Sequence, residues 1–418
     1  MSEDFTTEEK EIKHKVSREE FERRRKEKRK EQNRKKIILI LVLVAIVALI
    51  VSLVALGTGL VSGIMKKAGV KVDVNYVAKT REVQYNFQAA TEMFAAGDSV
   101  YVYNPGQFVC YNKDAVTMWR EELADMTAPS FSVMSQGIIV YDAGGNSMQA
   151  YSEEGLIWEK RIGGNIRNVY YNDANNIGAV LYEDGTYRSS LIVFKAEGRA
   201  TKDLFTKNYA SQYLTSCAIS DNGRSLALSG ISAESGSITG IISLIDMDGG
   251  ENYYTKYTEG YALPYVGFVS EKTLCAAGPE QLAYIKNDMT VGASEEDAFR
   301  VIKEGAGSVE LLSVDTAETG FGVSVFGSGD GGCDVLVCDS EGKIISTETY
   351  TESIIGVKAF GKHFTMYSEN KVWFLDEKGK VLCSEGSVSD ISEMYFLSEY
   401  SVFVTHGKGD LYIDFVEQ

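Results

Sequence analysis

Val372-Trp-Phe-Leu-Asp376-Glu-Lys-Gly379-Lys-Val-Leu382 is the stretch that decides the fold. An apolar run enters Asp376, a short polar turn ends in Gly379, and the apolar pattern resumes. That is the signal of two antiparallel strands joined tightly. The same step recurs upstream as Val335-Leu-Val-Cys-Asp339-Ser-Glu-Gly342-Lys-Ile-Ile345, Ser243-Leu-Ile-Asp246-Met-Asp-Gly249 and Met148-Gln-Ala-Tyr-Ser-Glu-Glu-Gly155-Leu-Ile-Trp158. A weaker copy, Phe108-Val-Cys-Tyr-Asn112-Lys-Asp-Ala-Val-Thr-Met-Trp119, has Ala115 where the others have glycine.

Another strand pair precedes each hairpin, as at Gly137 to Tyr141, Ser225 to Ser229, Gly320 to Phe326 and His363 to Tyr367. Four short strands repeating every roughly 37–52 residues describe the blade of a β-propeller. Blades are expected to begin near residues 86, 129, 166, 211, 263, 308 and 353, with an eighth near Asp390. The eighth runs out of chain before its outer strand. Val70-Lys-Val-Asp-Val-Asn-Tyr-Val77 is a strand with no blade of its own, and joining it to the last blade would close the ring. The expected fold is therefore all-β, a propeller of eight blades with seven as the alternative, preceded by one transmembrane helix.

The helix is read from Ile37 to Met65, which contains no charged side chain. A helix of that length spans about 43 Å, against a hydrocarbon core of about 30 Å. Arg23-Arg24-Arg25-Lys26-Glu27-Lys28-Arg29-Lys30 and Arg34-Lys35-Lys36 lie just before it, and such charge stays in the cytoplasm. The expected organisation is a basic cytoplasmic tail (1–36), a signal-anchor helix through lipid (37–65) and an extracytoplasmic propeller (66–418). The run is longer than a secretory signal core, which favours an uncleaved anchor. Ala55, Gly59 and Gly63 continue a stripe of small residues from Ala48 and Ser52, a surface on which two spans could form a homodimer.

The chain has net charge −17, and the tail contributes +4 from 14 Lys/Arg and 10 Asp/Glu. The remainder carries 28 Lys/Arg and 49 Asp/Glu, a net of −21. A surface this acidic argues against nucleic acid as a partner. All six cysteines fall beyond the anchor in apolar strand contexts, and they are expected as buried thiols.

Catalytic signatures are missing from the pattern. The region beyond the anchor has two histidines, His363 and His406, each in an apolar strand, and neither a G-x-S-x-G elbow nor an H-E-x-x-H helix. Asp246-Met-Asp248-Gly-Gly-Glu251 and Asp330-Gly-Gly-Cys-Asp334 lack the full ligand spacing of a calcium loop. Turns favour Asp and Gly for backbone reasons alone. Trp119, Trp158 and Trp373 sit in hairpin strands and are expected to pack between blades.

The Asp-x-x-Gly turns resemble those of quinoprotein-like propellers, and Ser220-Asp-Asn-Gly223-Arg-Ser-Leu-Ala227 resembles the blade step of WD40/YVTN-like ones. The paired cysteines of quinoprotein enzymes are absent, so no cofactor is expected. The whole plan resembles an uncharacterised family of membrane-anchored propellers from Clostridia-type Firmicutes. That resemblance implies a scaffold and supplies no catalytic residues.

Loops between second and third strands gather on one face of a propeller. They include Asn104, Asp142 and Asn146, Asp184, and Asp330, which are the candidate binding residues. The expected function is a membrane-tethered module that binds a protein or envelope ligand. A glycan-binding or glycan-processing enzyme and a transmembrane sensor are the alternatives, and fold alone does not choose among them.

Overall fold

The computed structural model describes residues 75–85, 92–232, 236–279, 281–287, 299–304, 311–317, 320–327, 332–407 and 409–417. The tail, the expected span with Ala55, Gly59 and Gly63, and the candidate Asp330 lie outside them.

The described residues form eight four-stranded antiparallel sheets. Blade 1 is Glu92–Ala96, Ser99–Asn104, Gln107–Asn112 and Thr117–Glu121. Blades 2 to 7 cover 129–161, 165–209, 212–259, 265–304, 311–350 and 356–385. Each is a meander whose spatial order follows the chain. Blade 8 differs: Ile391–Ser398, Ser401–His406 and Gly409–Glu417 are completed by Tyr76–Val83 as the outer strand. The first strands of successive blades neighbour one another around the full circle, blade 8 against blade 1 included. The eight-blade reading holds, and the seven-blade alternative does not.

The closing strand lies further along than the alternation at Val70–Val77 suggested. Its register runs from Tyr76 opposite Glu417 to Val83 opposite Asp410. Tyr76 and Ala78 pack on the blade 8 core beside Phe374 and Phe415, while Lys79 to Glu82 are exposed. An outer strand needs only one buried face, so this polar stretch suffices.

Middle strands are buried on both faces, as Gly137–Asp142 and Ile177–Glu183 show, because each blade is covered by two neighbours. The cores accordingly lie between blades. Trp158 joins Ile166, Val180 and Phe194 of blade 3, and Trp373 joins Val325 and Val335 of blade 6. Trp119 of blade 1 donates its Nε1–H to the Ser152 carbonyl of blade 2 at 2.8 Å. All six cysteines are free thiols, five of them buried and Cys383 half-buried.

The repeated polar turns join third and fourth strands; those at Asn112, Asp246, Asp339 and Asp376 are Asx turns, and blade 2 uses Ser152 instead. Asp339 Oδ1 accepts the backbone N–H of Glu341 and Lys343, each at 3.0 Å. Asp376 Oδ1 accepts those of Lys378 and Lys380, each at 2.9 Å. Gly342 and Gly379 follow in the left-handed region, at φ 74° and 84°. In blade 1, Asn112 plays the aspartate's part and Ala115 occupies the glycine position at φ 57°.

Candidate functional site

Connections between second and third strands, and those from one blade to the next, emerge at the same end of a propeller. This end is called the loop face. The closing strand runs from Glu417, at the opposite end, toward Asp410 beside the loop face. The chain therefore enters the propeller at the end away from the loop face.

Asp142 ends the second strand of blade 2 and is buried. Its Oδ1 accepts the backbone N–H of Thr127 at 2.8 Å and of Ala128 at 2.7 Å. It thereby fixes the connection 122–128, which leads from blade 1 into blade 2. Its own loop is fixed in turn. Gly144 N–H donates to the Ile166 carbonyl at 2.8 Å, and Ile166 N–H donates to the Gly145 carbonyl at 2.7 Å. Gly145 closes over the carboxylate so tightly that a Cβ there would stand 1.8 Å from Asp142 Oδ2. Asn146, four residues on, is exposed, and its carbonyl accepts Ile162 N–H at 2.8 Å.

Asp184, in the matching loop of blade 3, is exposed and caps its own turn. Its Oδ1 accepts the backbone N–H of Thr186 at 2.8 Å and Tyr187 at 3.0 Å. Those hydrogen bonds hold its carboxyl below the usual range. Asn104, in blade 1, is half-buried, and its Oδ1 is shielded without a hydrogen-bond partner among the described residues. The candidates thus stand on three consecutive blades. Asp142 and Asn146 share one loop, and both aspartates turn their oxygens onto backbone.

Between blades 1 and 2, on this face, the connection 122–128 overhangs a cavity of about 320 Å³. Its walls include Glu122, Leu123, Asp125, Ser147, Gln149 and Arg161. Leu123 is buried in the blade 1 core, and Gln149 Oε1 accepts the Tyr151 hydroxyl at 3.1 Å. None of the candidate loop residues lines this cavity; Asn146 precedes its Ser147 wall, and Asp142 holds the end of the overhanging connection. Chain spacing offered little signal: residues 122–128 separate blades 1 and 2, but the interval between Val83 and Glu92 is longer.

Asp315 and His363 are held by neighbouring groups. Asp315 of blade 6 accepts Ala359 N–H of blade 7 at 2.9 Å and Thr316 N–H at 2.9 Å. Burial pushes its carboxyl up, and Lys358 and those two N–H groups oppose the rise. His363 stacks on Phe374 with centroids 4.7 Å apart, and its Nδ1 lies 3.1 Å from Glu399 Oε1. Burial lowers its pKa against the pull of Glu399. Among the described residues, no three acidic, cysteine or histidine groups converge as ligands for one metal ion.

Fold and face together define an eight-bladed propeller with a braced loop face. Residues 73–411 match the family of unknown function DUF5711, and the chain belongs to that family. No curated protein matches it in sequence. Among solved structures it is similar to Sqt1 of Saccharomyces cerevisiae, at 9% identity and TM-score 0.53 over 83% of this chain and 100% of that one. The computationally designed Ika8 protein is similar at 13% identity and TM-score 0.54, over 81% of this chain and 100% of that one. Chaetomium thermophilum Sqt1, solved bound to the N-terminus of the ribosomal protein L10, is similar at 12% identity and TM-score 0.51, over 77% and 94%. At such identities the likeness is one of fold.

Proposed function

We propose that this protein is a single-pass membrane protein with a cytoplasmic N-terminus, whose extracytoplasmic propeller binds a partner protein on its loop face. The observation that carries the reading is the bracing of that face. Asp142 braces the connection 122–128 and Asp184 braces its own loop, each through backbone N–H groups. Loops held this way lose little entropy when a partner docks, which favours recognition. The uncharged run 37–65 and its basic flank support the tether. A propeller of similar fold, Chaetomium thermophilum Sqt1, was solved bound to the N-terminus of a ribosomal protein, which supports the reading.

The test is in-cell crosslinking of the tagged full-length protein, beside a tagged copy lacking 66–418, with captured proteins identified by mass spectrometry. The expected result is a partner recovered only with the propeller present and lost when Asn146 and Asp184 are replaced by arginine. Recovery that ignores both changes would sink the reading.

A further inference from the structure

We infer that the cavity between blades 1 and 2 receives the side chain of a lysine or arginine presented by a partner protein. The inference rests on the protein-binding reading above and names the chemistry it would use. Glu159, Lys160 and Arg161 are consecutive on the outer strand of blade 2, so alternate side chains leave by opposite faces. Lys160 leaves toward blade 3. There its Nζ lies 2.5 Å from Asp203 Oδ1 and 5.5 Å from the centre of the Phe194 ring. Lys160 also borders the cavity, but its ammonium is paired with Asp203.

Glu159 and Arg161 remain on the cavity side, joined across it by Glu122 and Asp125 of the 122–128 connection. All four are exposed, and they leave three carboxylates against one guanidinium. Leu123 and Met126 add apolar surface. An aliphatic stem ending in a cation satisfies both parts of this lining, since long basic side chains bury their methylenes and keep the charged head wet. The volume is ample for such a side chain. The acids do not converge as a chelating set, so they form a diffuse negative rim suited to an organic cation. The net charge of −21 over residues 66–418 favours basic partners in general.

The wall is also set before binding. Asp142 holds Thr127 and Ala128 by their backbone N–H groups, and Met126 N–H closes a turn onto the Leu123 carbonyl at 3.1 Å.

The test is an array of immobilised short peptides, randomised except for a fixed central residue, probed with tagged full-length protein in detergent micelles. Arginine- and lysine-centred spots should retain about threefold more protein than citrulline- or glutamine-centred spots, the worth of one or two surface charge pairs. That advantage should vanish in a Glu122→Gln, Asp125→Asn, Glu159→Gln variant. It should persist in Arg161→Gln and in a control with Asp98→Asn, Glu153→Gln and Glu154→Gln on distant turns. No cationic advantage, an advantage unchanged in the cavity variant, equal loss in the distant control, or preference for glutamate-centred spots would each overturn the assignment. If the crosslinked partner is still captured by the cavity variant, protein binding stands and the cavity assignment falls.

Discussion

Replacing Asp142 by alanine should loosen the loop face and cost measurable stability. The carboxylate accepts two backbone N–H groups at 2.8 and 2.7 Å. Hydrogen bonds to a charged group contribute about 1.5–3 kcal/mol each, so removing both would cost at most about 3–6 kcal/mol. Thr127 and Ala128 are exposed, so water can satisfy part of what the carboxylate leaves. The expected loss is therefore about 2–3 kcal/mol. Asp142→Asn keeps an acceptor oxygen and gives up the charge, and should cost about 1 kcal/mol. The assay is urea unfolding of the full-length protein in detergent micelles, followed by tryptophan emission. All three tryptophans lie in the propeller, and Trp119 bridges the two blades that flank the altered loop. An alanine variant within about 0.5 kcal/mol of wild type would refute the reasoning, since neutral surface substitutions already scatter that much.

Ala115 sits at φ 57°, where a side chain costs about 1–2 kcal/mol, so Ala115→Gly should stabilise by about 1 kcal/mol in the same unfolding assay. Burial pushes the Asp410 carboxyl up to about 6 from 3.8. The folded state then holds that proton more tightly than the unfolded chain, so its contribution is full below pH 3.8, declines between 3.8 and about 6, and is lost above. Asp410→Asn should accordingly stabilise by about 1–2 kcal/mol at pH 8, after discounting for solvent screening, and match wild type near pH 4. A gain independent of pH would contradict this. Burial raises the Cys110, Cys338 and Cys383 thiols to about 11 and those of Cys217 and Cys275 higher still. Ellman's reagent at pH 8 should reach half-buried Cys383 first and the others only on unfolding; rapid native labelling of Cys217 or Cys275 would disprove the packing.

The blades were legible because several carry a turn with a local physical cause. An aspartate that caps its own loop and a glycine that accepts positive φ leave a mark within a few residues. Asp339 with Gly342 and Asp376 with Gly379 announce their hairpins without reference to the rest of the chain. Starts read near 129, 166, 211 and 263 fall within two residues of strands beginning at Pro129, Asn165, Gln212 and Tyr265. The closing strand was less legible for a matching reason. Its position is set by register against 410–417, a partner far away in sequence, and its exposed face leaves Lys79 to Glu82 free to be polar. The alternation at Val70–Val77 was a stronger local pattern than the strand that forms.

The same contrast separates the parts of the loop face. Asp142 drew notice as a loop aspartate beside glycines, and its role is legible only in space, since the N–H groups it holds belong to residues 127 and 128, before the preceding strand. Glu122 and Asp125 carry no local signal, because Glu-Glu-Leu-Ala-Asp-Met reads as an ordinary polar connection. They become a surface because Leu123 is drawn into the blade 1 core, pinning that segment beside the outer strand of blade 2. The buried leucine and the buried aspartate act together: one anchors the start of the connection and the other its end. The acids between are held over the cavity by residues that need not touch a ligand. Loosening either anchor should therefore weaken recognition there even with every charged residue intact, which makes Asp142→Ala a probe of binding as well as of stability.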